Sequence, residues 1–234
     1  AVVGATGNVG REVLSILAES DFPINEVFAL ASARSAGKKI SFGDATIVVR
    51  DLEGFNFSDC DIAIFSAGSK VSQEFAPLAA KSCVVIDNTS YFRTRADIPL
   101  IIPEINGHEL ASYYHNNIIA NPNCVVAQLA LVMAPLHREN PIKRLVVTSL
   151  QSVSGAGKKA MDELYDQTKA KLMYAELRTE VFERLIAFNA IPKIGAIEQN
   201  GYTEEENKIS QEIKKILSDE IEVTATCVRV PVFI

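Results

Sequence analysis

The chain has 234 residues, 48 % of them hydrophobic, and a formal net charge of −6; it can build one large or two modest cores, with apolar runs shorter than the ~20 residues of a membrane span. Lys and Arg are scattered through an acidic sequence, which argues against a nucleic-acid partner, and no basic segment followed by an apolar one opens the chain as an export signal would. Cys60, Cys83, Cys124 and Cys227 are widely spaced, giving neither a zinc pattern nor a disulfide framework, so no metal is expected and a cytoplasmic, reducing setting fits.

In chain order, "AVV" reads as a buried strand, and residues 8–19 as a helix with Val9, Val13, Ile16 and Leu17 on one face. "EVFALAS" is the second strand, and "KISFGDATIVVRDL" a pair of short strands around a Gly-Asp turn. "DIAIFSAG", a helix over about 70–82 and "VVIDNTS" continue the alternation. Strand and helix repeated in this way imply a parallel sheet covered on both faces, a Rossmann-type α/β domain. The rhythm changes near residue 121, which predicts a nucleotide-binding domain over 1–121 and an α+β catalytic domain over 122–234. In the second part a helix runs from Cys124 to about His137, followed by the strand "RLVVTSL" at 144–150. Helices follow near 158–187 and 204–218, and a last strand starts at Glu222. The chain opens inside a strand without Met and stops inside the apolar run "VRVPVFI", so both ends are expected to be cut.

Gly4, Gly7 and Gly10 in "AVVGATGNVGREVL" fall between a strand and a helix. Glycines there allow a tight turn, and the helix start offers N–H groups to a pyrophosphate. After the second strand, where a carboxylate commonly reads the ribose of NAD, the sequence is "ASARSAGKK". Arg34 with Ser32 and Ser35 suits a 2′-phosphate, so NADP is expected over NAD; a solvated basic loop is the alternative reading.

In "NPNCVVAQ", Pro122 cannot lie inside the helix that follows, and Asn123 is a favoured N-cap. Cys124 then falls in the first turn, where the helix dipole favours a thiolate and backbone amides can stabilise an oxyanion. Cys60, Cys83 and Cys227 read as small buried hydrophobes. A thiolate together with a nicotinamide cofactor points to thioester chemistry on an aldehyde or an acyl phosphate. The latter requires cations for phosphate; Arg93 in "SYFRTR" and Lys208 in "EEENKIS" are candidates, though either alone also reads as surface charge. Gln151 ends a strand before a small-residue turn, a place from which a side chain can be aimed into a cleft.

The segments "VVGATGNVG", "LASARSAGK", "FSAG", "DNTSYFR", "PEIN", "NPNC", "QSVSGAG", "IEQNGYTEEENK" and "TCVRVPV" occur in one order along essentially the whole chain. As an ordered set they resemble the aspartate-β-semialdehyde dehydrogenases. The resemblance implies reduction of 4-aspartyl phosphate by NADPH to aspartate semialdehyde, with release of phosphate, on the route to lysine, threonine and methionine. It makes Cys124 the acyl-thioester nucleophile and Gln151 a substrate-orienting residue. It also makes Arg93 and Lys208 phosphate ligands, pairs Glu205 with the substrate amino group, and pairs Arg229 with its carboxylate. Thr6, Gly7, Asn8, Val9, Arg34, Ser35, Ser154 and Gly155 would hold NADP, and a homodimer or higher homo-oligomer is implied. The family continues beyond "VRVPVFI" into a Gly-His step whose His is the acid/base, and His108, His115 and His137 match no such base. His137, at a helix end, is expected to meet the terminal carbonyls. A polypeptide ending at Ile234 is therefore expected to be inactive, with apolar surface exposed and solubility reduced. An N-acetyl-glutamyl-phosphate reductase and a non-catalytic nucleotide-binding module are the rival readings. A glyceraldehyde-phosphate-type dehydrogenase would carry a different segment after its Cys.

Overall fold

A computed structural model describes residues 1–234 as two compact units, Ala1–Leu131 and Val132–Ile234. In the first unit the elements run β1 (Val2–Val3), α1 (Asn8–Glu19), β2 (Ala29–Ala31), β3 (Lys39–Phe42), β4 (Ala45–Val48) and β5 (Arg50–Asp51). They continue as β6 (Ile62–Phe65), α2 (Ser69–Ala79), β7 (Val84–Asp87), α3 (Pro103–Asn106) and β8 (Ile118–Ala120), after which α4 (Cys124–Glu139) begins. Six strands form one sheet in the order β5-β2-β1-β6-β7-β8, and every pairing in it is parallel. Strand order reverses between β1 and β6, the switch point at which open α/β sheets bind ligands. The strands β3 and β4 form a separate antiparallel hairpin. This matches the alternation read from the sequence, although "EVFALAS" contributes only Ala29–Ala31 as strand.

Residues buried on both faces explain why the central strands read as continuous apolar runs: Val2, Val3, Ala29, Leu30 and Ala31 are all buried. Helix α1 packs through a stripe different from the expected one. Gly10 and Leu14 are buried, with Val13 and Leu17 partly buried against the same core, whereas Val9 and Ile16 are 46 % and 56 % exposed. Gly10, Val13, Leu14 and Leu17 follow the i, i+3, i+4, i+7 spacing, with a glycine as its first member. Glycine is required there by contact distance. A Cβ on Gly10 would stand 2.2 Å from the Gly4 carbonyl oxygen and 2.8 Å from the Ala5 Cα. Gly4 itself, at φ +89°, leaves no room for a Cβ beside the Ser66–Ala67 peptide.

The second unit contains β9 (Arg144–Gln151), α5 (Lys158–Leu172), α6 (Glu204–Ile216) and β10 (Glu222–Arg229). Here β9 and β10 pair in parallel over eight residues, from Arg144 with Glu222 to Gln151 with Arg229. The helix expected over 158–187 stops at Leu172. Two buried side chains of α5 give the reason. Glu163 Oε2 accepts from the Glu180 and Val181 amides, and Gln167 Oε1 accepts from those of Ile186 and Ala187 at 2.8 and 3.1 Å. Gln167 Nε2 completes the clamp by donating to Glu163 and to the Arg178 carbonyl, each at 2.8 Å. Amides that a helix would have paired internally are satisfied by side chains instead, and Ile186 and Ala187 bury against Val153, Ala160 and Leu164. No helix in the molecule is long and apolar enough to cross a membrane.

Replacing Gly10 by Ala forces a methyl into backbone that cannot retreat, an overpacking that costs about 1–3 kcal/mol. Thermal unfolding of Gly10→Ala should begin below that of the unmodified chain, and an unchanged melting curve would contradict the close packing of α1 on the β1 turn.

Candidate active site

Parallel pairing places the C-terminal ends of all six strands of the first sheet on one edge. After β1, the Gly4 and Ala5 amides donate to the Leu30 carbonyl at 2.8 and 3.1 Å, and the Gly7 amide donates to Gly4 at 2.9 Å. This turn delivers the chain to α1, whose N-cap is Gly7 with no side-chain cap. Thr6 is half-buried, and Gly7, Asn8 and Val9 are exposed along the helix start. After β2, a 3₁₀ turn at Ala33–Ser35 presents Arg34 to solvent and buries Ser35. After β6, Gly68 at φ +93° opens α2, and a Cβ built there would meet nothing within 4 Å. A glycine-lined helix start at the switch point, with a cation at the end of the neighbouring strand, fits a dinucleotide phosphate chain.

After β7, Asp87 is fully buried yet satisfied: it accepts from Ser72 Oγ at 2.7 Å, the Thr89 amide at 3.2 Å and Thr89 Oγ1 at 2.9 Å. The loop it shapes holds Asn88. Arg93, 7 % exposed, donates through Nη2 to the Asn88 carbonyl at 2.9 Å. Asn121 Nδ2 donates to Asn88 Oδ1 at 2.6 Å, and the Asn121 amide donates to the Asp87 carbonyl at 2.8 Å. Asn88 thus links buried Arg93 to the segment that leaves β8 for Cys124. Asn123 caps α4 as expected: its Oδ1 accepts from the Val125 amide at 2.8 Å and its carbonyl from the Ala127 amide at 2.9 Å. Cys124 is the first residue of α4 and is exposed.

In the second unit, Gln151 and Arg229 are the last residues of β9 and β10 and face each other in the register. Ser149 Oγ donates to Gln151 Oε1 at 3.0 Å, which turns Gln151 Nε2 toward Glu205 Oε1, 3.1 Å away in the first turn of α6. Lys208 Nζ lies 2.6 Å from Glu204 Oε1. Buried Arg229 donates through Nη1 to the Ser152 carbonyl, and Gly155 leaves it space, since a Cβ there would come within 3.2 Å of Nη1. Ser154 Oγ lies 2.8 Å from Ser152 Oγ. Thus Gln151, Glu205 and Arg229 are brought together, with Ser154 and Gly155 on the turn that receives Arg229.

His137 departs from its expected role. Its Nδ1 accepts from the Ile142 amide at 3.0 Å, so it fastens the chain after α4 rather than meeting the helix carbonyls. Asn88, Ser149 and Glu206 escaped the sequence reading. For Glu206 a signal was available, because Thr203 and Glu206 have capping-box spacing ahead of an apolar-periodic stretch.

Known proteins are similar to this chain along its whole length. The family described as semialdehyde dehydrogenase, NAD binding domain, matches residues 1–113, and the semialdehyde dehydrogenase dimerisation domain matches residues 133–234. An aspartate-semialdehyde dehydrogenase of Rickettsia bellii is 53 % identical over 235 residues, which span 100 % of this chain and 70 % of the relative. The chain belongs to the aspartate-semialdehyde dehydrogenase family. Within that family, the crystal structure of aspartate semialdehyde dehydrogenase II from Vibrio cholerae complexed with ASA superposes with a TM-score of 0.96 at 47 % identity. It covers 99 % of this chain, which spans 70 % of that one. The structure of a Candida albicans family member with NADP gives a TM-score of 0.71 at 26 % identity, over 100 % of this chain and 67 % of that one.

Against this background the four thiols separate cleanly. Burial raises the pKa of Cys60 and Cys227, and burial next to Cys60 pushes Cys83 up to about 11, while Cys124 is exposed. A thiol with a raised pKa is protonated and unreactive at neutral pH. Brief alkylation of the native protein at pH 7 should therefore modify Cys124 alone, and alkylation after unfolding all four, as read by peptide mass spectrometry. Equal native labelling of Cys83 would contradict the burial described.

Proposed function

We propose that the activity to which this chain contributes is the NADP-dependent reductive dephosphorylation of 4-aspartyl phosphate to aspartate 4-semialdehyde, reversibly and through a thioester on Cys124, on the route to lysine, threonine and methionine. The observation that carries the proposal is an exposed Cys at the start of an Asn-capped, 16-residue helix that follows a parallel strand, in a chain of this family. The Vibrio cholerae complex with ASA supports the substrate, and the Candida albicans structure with NADP supports the cofactor.

In this reading the Cys124 thiolate attacks the carbonyl carbon of the acyl phosphate; the C–S bond forms, the C–O bond to phosphate breaks, and phosphate leaves with the electron pair, giving the thioester. NADPH, when bound, supplies the hydride that reduces the acyl carbon. Collapse of the resulting thiohemiacetal oxyanion returns the aldehyde and the Cys124 thiolate. Negative charge develops beside the start of α4, where the helix dipole favours it, and one backbone donor to an oxyanion is worth ~2.7–4 kcal/mol. Arg93, buried and held by Asn88, serves the departing phosphate, as does Lys208. Glu205, oriented by Gln151, takes the substrate amino group, and Arg229 its carboxylate. Thr6, Gly7, Asn8, Val9, Arg34, Ser35, Ser154 and Gly155 hold NADP, with Arg34 reading the 2′-phosphate. Residues 1–121 form the cofactor-binding part and 122–234 the catalytic part. The latter also supplies the contact of a cytoplasmic homodimer, in line with its match to a dimerisation domain.

Two measurements on the complete polypeptide test this reading. Cys124→Ala should abolish phosphate-dependent oxidation of aspartate semialdehyde while NADPH binding, followed by fluorescence titration, is retained; surviving turnover would remove the thioester route. Arg34→Ala should weaken NADPH binding by about 1.5–3 kcal/mol, the loss of a charged hydrogen bond, and leave NADH binding nearly unchanged. Equal losses for both cofactors would strip Arg34 of its role.

A further inference from the structure

The carboxylate next to Glu205 has no part in that mechanism, yet it is 9 % exposed and bound on both oxygens. Glu206 Oε2 accepts from the Thr203 amide at 2.7 Å, while Thr203 Oγ1 receives the Glu206 amide at 3.4 Å, a capping box at the start of α6. A capping box needs only one carboxylate oxygen. The other, Oε1, accepts from the Cys227 amide of β10 at 2.9 Å.

That amide lies on the edge of β10 away from β9. The next amide on that edge, Arg229, donates to the Ile191 carbonyl at 2.8 Å. Glu206 therefore occupies the place of a neighbouring strand for Cys227, two residues before Arg229. In the parallel register Cys227 faces Ser149, the residue that orients Gln151 toward Glu205. One carboxylate thus ties the turn carrying Glu205 and Lys208 to the strand carrying Arg229. Burial would raise its pKa, but the amides of Thr203 and Cys227 and the Thr203 side chain outweigh burial and hold it below the ordinary glutamate value. The bonded, charged form is the one the fold selects.

We propose that Glu206 is a positioning residue that fixes the first turn of α6 against β10, and thereby sets Glu205 and Lys208 in place relative to Arg229 for substrate binding. This rests on the substrate roles given to those three residues above. A one-residue shift of α6, or a slackened crosslink, would misplace the groups that grip the amino acid and phosphate without touching the cofactor turn.

The test uses the complete polypeptide with Glu206→Asp, which keeps the charge but is one methylene too short to span both amides, and Glu206→Gln, which keeps the length but turns an N–H toward one of the two donors. Thr203→Val removes the cap oxygen and leaves the Glu206–Cys227 link. Glu205→Ala is measured in parallel. Steady-state kinetics should show KM for aspartate semialdehyde and phosphate raised about tenfold in both Glu206 variants, the loss expected for a strained charged hydrogen bond, with KM for NADP unchanged. Thr203→Val should melt earlier yet keep its substrate KM, which a role confined to helix stability does not predict. The proposal is overturned if the Glu206 variants keep native substrate KM, if their NADP KM rises equally, or if Thr203→Val folds while both Glu206 variants fail to fold, since Glu206 would then be a fold determinant only. If Glu205→Ala leaves substrate KM unchanged, the substrate reading itself falls and takes this proposal with it. If Glu205→Ala raises KM and the Glu206 variants do not, only this proposal falls.

Discussion

Parallel strand pairing is the constraint from which the chemistry follows. A parallel pair aligns strand ends of the same polarity, so every chain segment leaving a strand emerges on one edge. In the first unit that edge collects the glycine turn after β1, Arg34 after β2, Gly68 after β6, Asn88 and Arg93 after β7, and Cys124 after β8. In the second, the same rule brings Gln151 and Arg229 to adjacent strand ends. Residues far apart in sequence are thus delivered to one edge by the backbone, and side-chain bonds such as Gln151 to Glu205 and Arg229 to the Ser152 carbonyl then set their orientation.

Polar side chains in the interior perform a second task, because the loops leaving those strands cannot use ladder hydrogen bonds. Asp87 shapes the turn after β7, Asn106 grips the Ile102 amide and the Leu100 carbonyl, and Glu163 with Gln167 clamps the chain from Arg178 to Ala187. Each is a buried acceptor or donor with its partners supplied, which turns a costly group into a geometric fixture. Glu206 belongs to this set, and differs in binding two elements that each carry a residue of the proposed substrate site.

Function follows from how differently the structure treats chemically identical groups. Four thiols share one side-chain chemistry, yet three are buried, where loss of hydration keeps them protonated, and one stands exposed at a capped helix start. Two adjacent carboxylates divide in the same way: Glu205 accepts from Gln151, and Glu206 is consumed by backbone amides.

By itself the sequence determined the alternation of strands and helices, the glycine turn, the cap before Cys124 and the family to which the chain belongs. These are local properties, written in spacings of two to four residues or in short ordered motifs. Only the tertiary structure decided the rest. Which stripe of α1 is buried depended on the contact between Gly10 and Gly4, six residues apart in sequence but pressed together across a turn. Where α5 ends depended on amides captured by Glu163 and Gln167 from a segment more than ten residues away. His137 found an amide five residues on instead of the carbonyls of its own helix. The second partner of Glu206, the Cys227 amide, lies 21 residues further along and becomes available only once β10 is paired on its other edge. Local pattern fixes what a residue can do; the hydrogen-bonding needs of distant backbone fix what it does.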